Sequence, residues 1–142
     1  MKYTTLIAAL VLFLYSLLNN ISENTRNEIN DDVLTEQIVL RFLAATAAFD
    51  EYYRNNSTIS GDVTEQVDYP DWLQVNTEIK MVITDGVGYV YAPASKGIYS
   101  KLLLKTEGSS FMGYTDEQTI NTPSGKIPKP SYISADSIVY VR

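Results

Sequence analysis

Four carboxylate pairs have a spacing that could support acid–base chemistry: Asp31/Asp32, Asp50/Glu51, Asp68/Asp71 and Asp116/Glu117. Paired acids hydrolyse a bond only where a cleft drives their pKa values apart. Helix capping accounts for the first pair and a solvated helix end for the second; the other two fall in loop-like sequence. Histidine and cysteine are absent. That removes imidazole bases, thiolate nucleophiles, Ser-His-Asp triads, disulfides and the histidine or cysteine zinc sites. Ser100 and Lys101 are adjacent, so on a helix their side chains diverge, and no Ser-x-x-Lys occurs. Asp68-Tyr-Pro-Asp71 lacks the oxygen-rich spacing of a calcium loop. Gly86-Val-Gly88 does not extend to a dinucleotide fingerprint, and no Walker-type loop is present. Ser95, Lys96 and Gly97 open a helix whose N-terminus could hold an anion, although ordinary capping explains them. The sequence therefore predicts no catalytic, cofactor-binding or metal-ligating residue, and no cofactor.

The elements that would carry any site begin with an apolar run. Between Leu6 and Leu18 only Ser16 is neither apolar nor aromatic, and no charge falls between Lys2 and Glu23. Residues 3–21 as a helix would span about 28 Å, close to the hydrocarbon thickness of a bilayer. Residues 1–21 are thus expected to form a transmembrane anchor, with Tyr3 and Tyr15 toward the interfaces. A cleaved signal peptide is the rival, but no small-x-small motif follows the run. Residues 22–32 read as a polar linker or a continuing helix, and residues 33–142 as an α+β domain. Asp31 or Asp32 suits an N-cap and Glu36 a first turn. Leu34, Ile38, Phe42, Ala45, Phe49 and Tyr52 recur at helical spacing, widened by Val39, Leu43 and Ala47, predicting a helix over 33–54. Ala44–Ala48 would allow close approach of a sheet or another helix. Residues 55–75 lack a period and read as a long loop pinned by Tyr69, Pro70 and Trp72.

Residues 77–84 alternate, with Ile79, Met81 and Ile83 on one face, and Asp85-Gly86 signals a two-residue hairpin into 87–91. Pro93 ends that strand. Ser95 caps a helix expected over 96–106 that buries Ile98 and Leu102, with Leu103 a further candidate and Gly108 at its C-terminal end. Short strands follow at 110–114 and 137–141, separated by a Pro- and Gly-containing loop over 115–135. The expected architecture is a small αββαββ-like domain with both helices on one face of an antiparallel sheet.

The formal charge is −6, and beyond residue 21 there are 17 acidic residues. This disfavours nucleic acid, whose phosphates need clustered Lys and Arg. Residues 28–71 hold ten acids against Arg41 and Arg54. That half presents either a solvated acidic face or a surface for a basic partner. Trp72, Tyr89, Tyr91 and Tyr114 are the aromatic candidates for partner binding, each weighed against plain core packing. The glycine-aromatic and glutamate signature of a type IV pilin leader is absent.

Several stretches carry a resemblance along nearly the whole chain. They are the apolar N-terminal segment, the helix with Phe42, Phe49 and Tyr52-Tyr53, Gly61-Asp-Val63, Pro70-Asp-Trp72, Gly88-Tyr-Val-Tyr91, Ser110-Phe-Met-Gly113 and Ile138-Val-Tyr-Val-Arg142. On these motifs the chain resembles the small PilM family of plasmid-borne type IVb thin-pilus systems, as distinct from the actin-like pilus protein of the same name. The resemblance implies a non-enzymatic accessory or scaffolding role in pilus biogenesis for conjugation or adhesion. It implies a bacterial inner-membrane, single-pass location, with the C-terminal domain in the periplasm. Expected partners are other pilus-assembly proteins of the inner membrane or periplasm, the bilayer through residues 3–21, and a second copy of the chain as a homo-oligomer. A periplasmic ligand-sensing module or a minor pilin-like subunit is the alternative, and an exported hydrolase the weakest.

Overall fold

The computed structural model describes residues 2–73 and 78–142, apart from the side chains of residues 2, 4 and 19–30. In chain order the elements are α1 (Lys2–Asn56), β1 (Gly61–Asp62), β2 (Lys80–Thr84), β3 (Val87–Pro93), α2 (Lys96–Lys105), β4 (Met112–Thr115), β5 (Thr119–Thr122), β6 (Gly125–Pro128) and β7 (Ser137–Val141). The chain divides into two units, one ending at Thr35 and the other Glu36–Arg142.

The first unit consists of α1 residues up to Thr35. Tyr3 and the large apolar side chains from Leu6 to Leu18 are exposed, Leu6 at 68% and Leu12 at 70%. No helix among the described residues is long and apolar enough to cross a membrane. The described apolar run Leu6–Leu18 covers about 20 Å at the helical rise, against the roughly 30 Å hydrocarbon layer. The expected 3–21 span includes side chains outside those described. Asp31 and Asp32 cap nothing, because they lie inside α1. There Thr35 Oγ1 donates back to the Asp31 carbonyl at 2.7 Å, satisfying its hydroxyl within the helix.

In the second unit α1 turns a stripe of Val39, Phe42, Ala45 and Phe49 into the core. Of the expected stripe, Val39, Phe42, Ala45 and Phe49 are buried and Leu43 and Tyr52 partly so, whereas Ala47 is exposed. Leu34 and Ile38 are exposed, and Val39 takes the buried position. Periodicity identifies an apolar helix face, but where the sheet starts to cover it decides which residue at its edge is buried.

All seven strands form one antiparallel sheet in the order β1-β2-β3-β7-β4-β5-β6. The β2–β3 hairpin has the expected register, with Thr84 opposite Val87. Asp85 and Gly86 both have positive φ, 52° and 79°, as the hairpin turn that matches strand twist requires. Ser95 caps α2, its hydroxyl accepting from the Ile98 N–H at 3.4 Å. Gly108 closes the helix at φ 73°, its N–H reaching the Leu103 carbonyl at 2.8 Å.

Where a loop is expected over 115–135, the structure has the β5–β6 hairpin. Its strands carry only Ile120 and Ile127 as apolar residues, so they lack the alternation that identifies a strand. Side-chain chemistry organises the turn that leads from β4 into β5, and the Thr122 hydroxyl, which donates to the Gly125 carbonyl at 2.9 Å, closes the β5–β6 turn. Asp116 Oδ1 accepts from the backbone N–H groups of Gln118 and Thr119 at 2.8 and 2.7 Å, and Oδ2 accepts from the Thr119 hydroxyl at 2.7 Å. These bonds, the Thr119 hydroxyl first, hold the Asp116 carboxyl well below the usual carboxylate range. The expected four strands become seven, β1 being the other short addition.

Both helices pack on one face, as expected. That face unites Phe42 and Phe49 of α1, Leu102 of α2 and Met81, Ile83, Val90, Met112, Ile138 and Tyr140 of the sheet. A smaller cluster on the other face joins Ile120, Val139 and Ile133, with Tyr89, Tyr91 and Val141 partly buried against it. Ile133 comes from the connection between β6 and β7, which covers that face.

Candidate partner-binding surface

The segment from Gly61 to Leu73 lies between the sheet edge and α1, and its apolar residues pin it. Val63, Val67 and Leu73 are buried. Val63 N–H donates to the Met81 carbonyl at 2.9 Å, and Met81 N–H donates to the Thr64 hydroxyl at 2.9 Å. The Tyr69 hydroxyl donates back to the Thr64 carbonyl at 3.2 Å. With its inner side chains committed, the segment turns Pro70, Asp71 and Trp72 outward; Trp72 is 71% exposed.

A groove of about 430 Å³ opens there, lined by Ala44, Ala47 and Ala48 of α1 and by Tyr69, Pro70 and Trp72, with Glu51 and Asp68 also on its lining. The alanines make a low floor because each side chain is a single methyl. Alanine enrichment at 44–48 suggested close approach of a sheet or another helix; beside Ala44, Ala47 and Ala48 the groove is instead walled by the irregular segment of Tyr69, Pro70 and Trp72. Nothing in the sequence indicated that Asp68 and Glu51 would line one groove.

The other aromatic candidates go elsewhere. Tyr114 is buried at 9% exposure, stacked on Tyr99 with ring centroids 5.6 Å apart. Its hydroxyl donates to the Ala94 carbonyl at 3.0 Å and also lies 3.3 Å from Asp136 Oδ1. The structure thus makes Tyr114 a core residue rather than a surface aromatic, because its strand position faces the helices. Tyr89 and Tyr91 are half-buried on the opposite face of the sheet. Tyr132 packs against both, at centroid distances of 6.4 and 6.0 Å. Its hydroxyl lies 2.9 Å from that of Thr84. Tyr132 has no periodic sequence context, so nothing in the sequence pointed to this trio. Trp72 is far from it in the fold, on the helix side.

The carboxylate pairs do not assemble an acid–base site. Asp50 faces the sheet, where the Tyr140 hydroxyl donates to its carboxylate, 2.8 Å from both oxygens, and Arg142 Nε lies 3.4 Å from Oδ1. Glu51 points to the groove instead. Asp116 is a turn cap held low, the opposite of what a general acid needs. Among the described residues no group of three or more acids could hold a metal ion.

The Asp50–Tyr140–Arg142 contact fastens the end of β7 to α1. Burial first, then the hydrogen bond to Asp50 and its negative charge, push the Tyr140 hydroxyl up to about 12; Arg142 opposes this. A free tyrosine titrates near 10. A folded-state pKa above the unfolded value gives stability that is complete below pH ~10 and is lost as pH rises through about 12. Burial also raises Tyr69, Tyr89, Tyr91, Tyr99 and Tyr114. Stability should therefore fall across that alkaline window, and Tyr140→Phe should shallow the fall. Denaturant midpoints measured by circular dichroism from pH 8 to 12 test this; parallel parent and variant curves contradict it.

The PilM family model matches residues 7–141. No curated protein matches the sequence. A crystal structure from Escherichia coli B7A that carries the name PilM superposes with a TM-score of 0.64 at 16% identity, covering 79% of this chain and 94% of that one. At that identity the likeness speaks for the fold alone. The family match, by contrast, takes in α1, the sheet, the Trp72 segment and β7, and on that extent the chain belongs to the PilM family.

Proposed function

We propose that the chain is a non-enzymatic accessory or scaffolding protein of type IV pilus biogenesis, serving conjugation or adhesion. Residues 3–21 hold it in the bacterial inner membrane, and its C-terminal domain lies in the periplasm and contacts other assembly proteins. Family membership over residues 7–141 carries this reading. Two features support it. The exposed apolar side chains from Leu6 to Leu18 need a non-aqueous cover. The described run alone is too short to span, so the anchor takes in residues 3–21 as a whole. The outward Trp72 beside an apolar groove gives the domain a surface suited to protein contact rather than to turnover of a substrate.

The test is made in the piliated host. Deletion of the gene should abolish or sharply reduce pili, and the full chain should restore them. The restored protein should resist carbonate extraction and become accessible to protease only after the outer membrane is opened. Normal piliation in the deletion strain overturns the biogenesis role. A mature, freely soluble chain lacking residues 3–21 overturns the anchor.

A further inference from the structure

The groove beside Trp72 has two unlike ends. Its apolar end has Ala44, Ala47 and Ala48 below and Pro70 and Trp72 beside them. Ala48, Glu51 and Asp68 also line an adjoining hollow of about 240 Å³ that runs on to Tyr52, Asn55 and Asn56. Ala44, Ala47, Ala48, Glu51 and Asn55 fall on one stripe of α1. The trough therefore follows the helix for about three turns, roughly 16 Å. Among the described residues Glu51 and Asp68 have no ion-pair partner, whereas neighbouring Asp50 is engaged by Arg142.

We propose that this trough docks a basic amphipathic helix of a partner protein. A large apolar side chain of that helix packs on the alanine floor against the Trp72 ring, and a Lys or Arg one to two turns along faces Glu51 and Asp68. The methyl floor lets a helix axis approach to about 8 Å, the near end of the packing range. The exposed indole offers a broad, rigid apolar surface of the kind that dominates interface energetics. The unpaired carboxylates set the sign of the occupant: they repel an acidic segment and an anionic lipid surface alike. The net charge of −6 argues against a second copy of this chain. The inference rests on the scaffold reading for where the partner comes from; the groove's chemistry stands on its own.

Trp72 is the only tryptophan, so its emission reports the trough directly. The full chain in nanodiscs is titrated with two tryptophan-free helical peptides of the same leucine pattern, one lysine-faced and one glutamate-faced. The lysine peptide should shift the emission to the blue saturably, less tightly at higher salt, while the glutamate peptide leaves it unchanged. Glu51→Lys combined with Asp68→Lys should weaken the lysine peptide on the order of tenfold and admit the glutamate peptide. Ala47→Phe, at an exposed floor position, should fill the trough and abolish the shift with the circular dichroism spectrum unaltered. No shift with either peptide, or equal shifts with both, overturns the proposal. So does a blue shift that grows with protein concentration in the absence of peptide, since the occupant would then be a second copy. Loss of peptide binding with pilus assembly still dependent on the chain removes the groove and spares the scaffold role. Binding as expected together with normal piliation in the deletion strain does the reverse.

Discussion

Phe49→Ala should lower the unfolding free energy by about 3–5 kcal/mol, the range for removing a buried aromatic ring. Phe49 is fully buried in the cluster that joins α1 to the sheet. It also sits over Gly88 of β3: a Cβ built on Gly88 would lie 2.5 Å from the Phe49 Cε1 and Cζ atoms and 3.3 Å from Tyr53. The glycine is thus the recess into which the ring packs. Gly88→Ala alone should cost about 1–3 kcal/mol by overpacking. The two changes share one space, so they should couple. In the Phe49→Ala background the Gly88→Ala penalty should shrink markedly, because the new methyl enters the vacated volume. Urea midpoints for both single variants and the double variant test this. Additive penalties would mean that ring and glycine do not compete for the same space.

Leu102→Ala should cost about 2–5 kcal/mol, while Leu104→Ala should stay within roughly 0.5 kcal/mol of the parent. The two leucines lie two residues apart on α2, and the helical pattern already picks out Leu102 as the buried one. Leu102 is fully buried among residues of α1 and the sheet, and Leu104 is 80% exposed. The contrast tests the rotation of α2 about its axis. Equal losses at the two positions would place the buried stripe of α2 elsewhere. The Glu36–Lys105 ion pair, 2.7 Å long and half-exposed at both ends, contributes little to holding the helix in place.

Much of the architecture follows from local pattern. The helical spacing of Phe42, Ala45 and Phe49, the alternation of Met81 and Ile83, Asp85-Gly86 between two strands and Ser95 before α2 each specify their element through nearest-neighbour physics. Backbone sterics at the turn and orphan N–H groups at the helix start act within a few residues, so a sequence displays them directly. The β5–β6 hairpin is different. Its strands are polar, and what selects them is Asp116 gathering the turn from β4 into β5 together with pairing to β4.

The amino-acid sequence by itself determined the absence of histidine and cysteine chemistry, the apolar N-terminal run, the two domain helices and the β2–β3 hairpin. Only the tertiary structure decided that β7 enters the middle of the sheet between β3 and β4, that Tyr114 belongs to the core, and that Trp72 stands outward over an alanine floor with Glu51 and Asp68 nearby. The reason is range. Periodicity and turn chemistry act between residues a few positions apart. Which face of a strand is covered, and which carboxylates line one groove, depend on packing between separate segments that only the folded chain brings together.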